Sequence, residues 1–255
     1  MPSVNRFIRK RSKHLVWSSL ATLLLIFSTG CLYRGEQQKT GPMISYTESV
    51  ERVQQALDRF QEERGILPIF TAGEEIPRYE KFRLNLNQMK QLEYLDNIPD
   101  IAFEQGGHVY YLVIDEDTDP IVKIMDLNTV QKVNDVQRQV DFYRSKHGGH
   151  LPAQAKGEVY PGLYEVDLPL VQASQYELLS VYSGQALPYL VDQAGHVYVD
   201  YAYDIMQAID QSGRMPEGEE DLRRWLTDRS PQVPVKSLPY RWVDGAPLAR
   251  ITPDQ

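Results

Sequence analysis

The chain has 255 residues, 42% of them hydrophobic and 24% charged, a formal net charge of −8 and one cysteine, Cys31. That composition belongs to a globular body rather than a disordered one, and a single thiol excludes a disulfide framework. No Lys/Arg-rich run follows residue 13, which excludes a nucleic-acid-binding surface of the usual electrostatic kind.

In chain order, Arg6, Arg9, Lys10, Arg11 and Lys13 precede an apolar run at residues 15–27 (LVWSSLATLLLIF), and Ser28, Thr29, Gly30 and Cys31 follow it. A basic start, a short apolar stretch and small residues at a cut site define a secretory signal peptide. An uncleaved anchor is the alternative, but a spanning helix needs about 20 apolar residues. The cysteine at the end of this run resembles the lipobox of bacterial lipoproteins, in which the thiol receives a diacylglyceryl group. The family prefers Leu three residues before the cysteine, where this chain has Ser28. The resemblance implies lipid attachment at Cys31 and an extracytoplasmic location on the cell membrane. Removing residues 1–30 would take away five basic and no acidic groups, leaving 22 basic against 35 acidic, a net of −13. Such a body gains nothing from electrostatic adhesion to an anionic membrane.

Residues 32–45 mix Gly, Pro, Gln and charges without period and read as a flexible tether. Thr47 is then expected to cap a helix carrying Val50, Val53, Leu57 and Phe60 at helical spacing and stopping near Gly65. The pattern returns 83 residues later at Val133, Val136, Val140, Tyr143 and Gly148. Farther on, Gly107-His108-Val109-Tyr110 matches Gly195-His196-Val197-Tyr198 at an offset of 88. Residues 205–210, Gly213, Pro216 and the segment 238–245 echo the helix and strands once more, with a charged, helix-like stretch at 217–227. Self-similarity at a fixed period predicts repeated structural units. Strand regions rich in Val and Tyr next to amphipathic helices predict an α+β fold: duplicated helix-plus-small-antiparallel-sheet units and a degenerate third one at the end. The expected divisions are a signal peptide at 1–30, lipidated cysteine and tether at 31–46, repeats at 47–130 and 131–204, and a third unit at 205–255.

Asp115, Asp117, Asp119 and Asp126 stand at positions 1, 3, 5 and 12 of a calcium-loop spacing. Pro120 occupies the place where such a loop needs Gly, so an acidic turn between two strands is the favoured reading and calcium the alternative. His108 and His196 are expected to hold equivalent structural places at a turn. His147 and His150 lie at a helix end, where a cation is favourable. The tyrosines Tyr160, Tyr164, Tyr176, Tyr182, Tyr189, Tyr198, Tyr201 and Tyr203 suit a half-buried sheet, with a glycan or peptide platform as the minority reading. No catalytic, cofactor or metal motif is present, so no cofactor is expected. The chain is similar to uncharacterised lipoproteins of Bacillus-type Gram-positive bacteria. The expectation is a membrane-anchored, non-enzymatic binding or scaffolding component of the cell envelope with a protein or cell-wall partner and no nucleic acid. A solute-binding lipoprotein of a transporter and an envelope hydrolase are the alternatives.

Overall fold

The structure, a computed structural model, describes residues 41–70 and 72–251. Cys31 and the apolar run before it lie outside the described residues. Helix α1 (Gly41–Arg64) starts ahead of Thr47. Pro42 sits in its first turn, where a missing N–H costs nothing, so the end of the stretch read as tether is helical. Val53, Leu57 and Phe60 are buried as their spacing requires. After short helices α2 (Arg78–Lys81) and α3 (Leu86–Gln91), strands β1 (Val109–Ile114) and β2 (Ile121–Asp126) form an antiparallel hairpin. Tyr111 and Val113 face α1, and with Leu84, Leu86, Met89 and Ile124 they close the first core.

Helix α4 (Leu127–Lys146) follows at once, because Asp126 caps it: its carboxylate accepts the Thr129 N–H at 2.9 Å and the Asn128 N–H at 3.2 Å. A division at 130 would therefore cut the first turn of this helix. Val133, Val136 and Val140 pack on a four-stranded antiparallel sheet. Its order is β3 (Ala153–Tyr160), β4 (Leu163–Val166), β7 (Tyr189–Asp192), β8 (Val197–Val199), and β5 (Leu178–Leu179) and β6 (Ala186–Leu187) form a separate pair. Helix α5 (Ala202–Ser212) and the hairpin of β9 (Tyr240–Val243) and β10 (Ala246–Ala249) complete the second core. Of the charged stretch 217–227, only α6 (Arg224–Thr227) is helical. Pro216 and Gly218 punctuate its start and deny it a regular first turn.

The body is thus α+β, and one device shows the duplication at atomic level. Gln54 on α1 accepts the Val122 N–H at 2.6 Å and donates to Pro120 O at 3.0 Å and to Asp58 at 2.8 Å. Gln137 on α4 repeats all three bonds with Val197 N, Gly195 O and Asp141, at 2.8, 2.8 and 3.0 Å. Each glutamine covers the outer edge of the second strand of its hairpin, where unpaired N–H groups would otherwise face solvent. Beyond each clamp the same edge is met by one segment, residues 231–236. The Ile124 N–H donates to Pro231 O, and the Val199 N–H donates to Lys236 O, both at 2.8 Å. Val233 and Val235 of this strap join Tyr79, Leu112, Ile114 and Met125 in a third cluster. Ile44–Gln255 accordingly packs as one compact unit.

The clamps correct one alignment. Val122 corresponds to Val197, so β2 matches β8, and Tyr111-Leu112-Val113 of β1 matches Tyr189-Leu190-Val191 of β7. The similar strings Gly107-His108-Val109-Tyr110 and Gly195-His196-Val197-Tyr198 are not equivalent. The first leads into β1, while the second turns between β7 and β8. The two glycines also differ in cause. Gly195 has φ +97° in a turn, whereas a Cβ on Gly107 would overlap the Ile101 carbonyl.

Candidate functional site

A cleft of about 510 Å³ that bears paired charges lies among α4, the β7–β8 turn and the strap. Val133, Asn134 and Gln137 of α4 form one wall, Asp192, His196 and Tyr198 a second, and Glu80 and Lys236 close the end. The volume is in the range of small-molecule sites. Asp192 is 5% exposed and its carboxylate caps the turn, accepting the Gly195 and His196 N–H groups at 2.7 and 2.8 Å. The same carboxylate pairs with His196 Nδ1 at 3.0 Å and accepts the Tyr198 hydroxyl at 3.2 Å. Burial by itself would raise the Asp192 carboxyl, but the His196 bonds and the Gly195 N–H outweigh it and hold it below the usual carboxylate range. Lys236 Nζ meets Glu80 at 2.8 Å and stands at φ +58°, a conformation costly for a side-chain-bearing residue. The strap's hydrogen bond to Val199 and this ion pair hold it there. These charges are therefore spent on joining elements to one another.

The histidines do not meet. His108 Nε2 lies 2.7 Å from the Tyr46 hydroxyl at the start of the first unit, so it shares no place with His196. His147 caps the end of α4, its ring stacked on Tyr143 with centroids 3.9 Å apart. His147 thus ends the helix at the place its sequence position gave it.

The hairpin register also separates the acidic residues. Asp115 follows Ile114, the partner of Ile121 at the turn, whereas Asp126 pairs with Val109 at the opposite end. Five residue steps of strand put them roughly 17 Å apart. Asp115 instead meets Arg78, with Arg224 at 3.7 Å, and Asp126 caps α4. The segment 115–120 is an acidic turn, and the calcium spacing does not become a cage. Among the described residues no group of three or more His, Cys, Asp or Glu is arranged to hold a metal ion.

The tyrosines of the second copy largely build core: Tyr189 and Tyr201 are 1% and 3% exposed, while Tyr203 stands out at 58%. Around Asp200 the Tyr160 and Tyr240 hydroxyls donate at 3.0 and 2.8 Å, and the Ala202 N–H donates at 2.9 Å. Asp204 accepts the Ser180 hydroxyl at 2.7 Å, and its second oxygen is buried without a partner. Burial raises both carboxyls, against the pull of these donors. Sequence reasoning passed over Gln54, Gln137 and this aspartate pair. The two glutamines do share the 83-residue offset, which was the available signal.

Among the described residues no helix is long and apolar enough to cross a membrane. Residues 46–126 match the model of the YphF family N-terminal domain. The matched stretch runs from the second turn of α1 to the last residue of β2, which is the first helix-plus-hairpin unit. No curated protein and no solved structure matches the chain.

Proposed function

We propose that this chain is a lipid-anchored, non-enzymatic binding or scaffolding component of the cell envelope, held on the extracytoplasmic face of the cytoplasmic membrane through Cys31. The observation that carries the reading is the order of residues 6–31: five basic side chains, thirteen mostly apolar residues, then Thr29, Gly30 and the chain's one cysteine. Thirteen residues fall short of a spanning helix, so a diacylglyceryl group on the thiol supplies the attachment that the polypeptide cannot. A body without disulfides suits this location because three packed clusters hold it together. The charged groups of the cleft among α4, the β7–β8 turn and the strap are engaged within the protein, which favours binding at a surface over catalysis in a pocket. Metabolic labelling with a radioactive fatty acid should mark the wild-type chain and leave Cys31→Ala unmarked. The variant should move from the membrane to the soluble fraction. An unlabelled wild type, or a variant that stays on the membrane to the same extent, would remove this reading.

A further inference from the structure

One surface of the first unit has chemistry that its packing does not use. Phe70 and Phe103 are 43% and 53% exposed. Between them, the Arg83 guanidinium lies 5.6 Å from the Phe70 ring centroid and 4.8 Å from that of Tyr110, and the Tyr110 and Phe103 rings are 5.0 Å apart. The four side chains form a continuous ribbon, ring–cation–ring–ring. Arg83 is itself exposed, and among the described residues it has no carboxylate partner. The two rings hold the guanidinium between them and leave its N–H groups for a ligand.

The second copy provides an internal control. The bridge between Arg83 and Leu112 corresponds to the pair Glu165 and Leu190, because Tyr111-Leu112-Val113 matches Tyr189-Leu190-Val191. In that copy Glu165 replaces Arg83 and Pro188 replaces Tyr110. The same strand pairing forms with both changed, so folding does not call for the ribbon. Tyr110 also packs on the third cluster, but Phe70 and Phe103 belong to none of the three, and exposed aromatic surface of that kind marks an interaction site.

We propose that Phe70, Arg83, Tyr110 and Phe103 form a binding strip for a carboxylate-bearing glycan. Pyranose rings present flat C–H faces that stack on aromatic rings, and a carboxylate takes the guanidinium fork in a bidentate pair. A stable protein partner needs about 20–30 residues a side, far more than this ribbon offers. A short strip of rings around one cation is sized for the few sugar units of a glycan that lie along it. The inference depends on the proposed extracytoplasmic location only for where such a glycan would be met.

The test is sedimentation of the full-length protein, in detergent, with beads that carry an immobilised uronic-acid polysaccharide free of protein and phosphate. Wild type should pellet. Arg83→Gln and Phe103→Ala should each weaken binding about tenfold, and Arg83→Lys should fall between because it keeps charge and loses the fork. Methyl esterification of the polysaccharide should weaken wild-type binding as much as Arg83→Gln does. Urea midpoints equal to wild type would show that the variants fold. Failure of wild type to pellet, or equal pelleting of all variants, would overturn the proposal. So would displacement by a poly-glutamate peptide as effective as displacement by glycan fragments, which would identify an acidic protein segment as the partner. Cys31→Ala should pellet like wild type, so loss of the acylation reading and loss of this one give different results.

Discussion

The first helix–hairpin unit, ending with β2, and the second, running from α4 through β8, share a clamp and a strap and differ in the sheet and the turn around them. Both place a glutamine amide over the edge of the hairpin's second strand, and both rely on the strap at 231–236. The first hairpin is a two-stranded sheet with a long acidic turn, flanked by the segment 82–84. The second is built into a four-stranded sheet, and its turn is closed by Asp192. What is retained satisfies backbone donors, where an unpaired buried N–H would cost most. What varies lies on surfaces free to take other chemistry: a ring–cation ribbon on one copy, Glu165 and Pro188 on the other.

The comparison can be broken first in the cores. Leu57→Ala, at a fully buried site, should cost about 2–5 kcal/mol. If the strap couples the copies, α4 and β8 should lose hydrogen-exchange protection together with α1. Protection kept in the second copy while the first opens would show that the two are separate cooperative units. Next come the clamps. Gln54→Ala and Gln137→Ala each strand a strand-edge N–H and should cost about 1–3 kcal/mol, read as a shift in urea midpoint. Equal losses would support equivalent clamps, and a loss confined to one copy would deny it.

A difference in pH response sharpens the contrast further. Asp200 and Asp204 in the second copy have carboxyls raised by burial. In the folded state they hold protons that the unfolded chain releases, so their contribution is fully present below the unfolded carboxylate value of about 3.9. It is lost as pH rises through their folded values. Asp192 has the opposite sign: lowered in the fold, it stabilises above its unfolded value, and that stability is lost as pH falls through its folded value. Asp204→Asn should therefore flatten the mildly acidic part of the stability curve, measured by urea unfolding across pH, and leave the loss at lower pH in place. A curve with unchanged slope would count against a raised Asp204. The smallest effect is expected at the ribbon, where Arg83→Gln and Phe103→Ala should change stability by no more than about 0.5 kcal/mol.

The helices were legible from particular residues. Val53, Leu57 and Phe60, then Val133, Val136 and Val140, fall on one face at 3.6-residue spacing, and burial follows that spacing wherever the partner lies. The acidic turn between β1 and β2 was legible for a similar reason, since Pro120 forbids the bend a calcium loop needs. The hairpin equivalence was misread because Gly-His-Val-Tyr recurs as letters, whereas strand identity depends on which edge pairs with which. The shared Tyr-Leu-Val was the better signal. Asp126 fitted the calcium spacing only as the alternative reading, and the register puts it at a helix start.

By itself, then, the sequence determined the helix faces, the α+β class, the recurrence of the unit and the expectation of a lipid address at Cys31, all properties of short stretches. Only the tertiary structure decided that a strap distant in sequence closes both hairpin edges, that Gln54 and Gln137 are clamps, and that Phe70, Arg83, Tyr110 and Phe103 share one surface. The physical reason is that periodicity reports local burial, while hydrogen-bond partners and surface neighbours come from segments whose meeting no local pattern specifies.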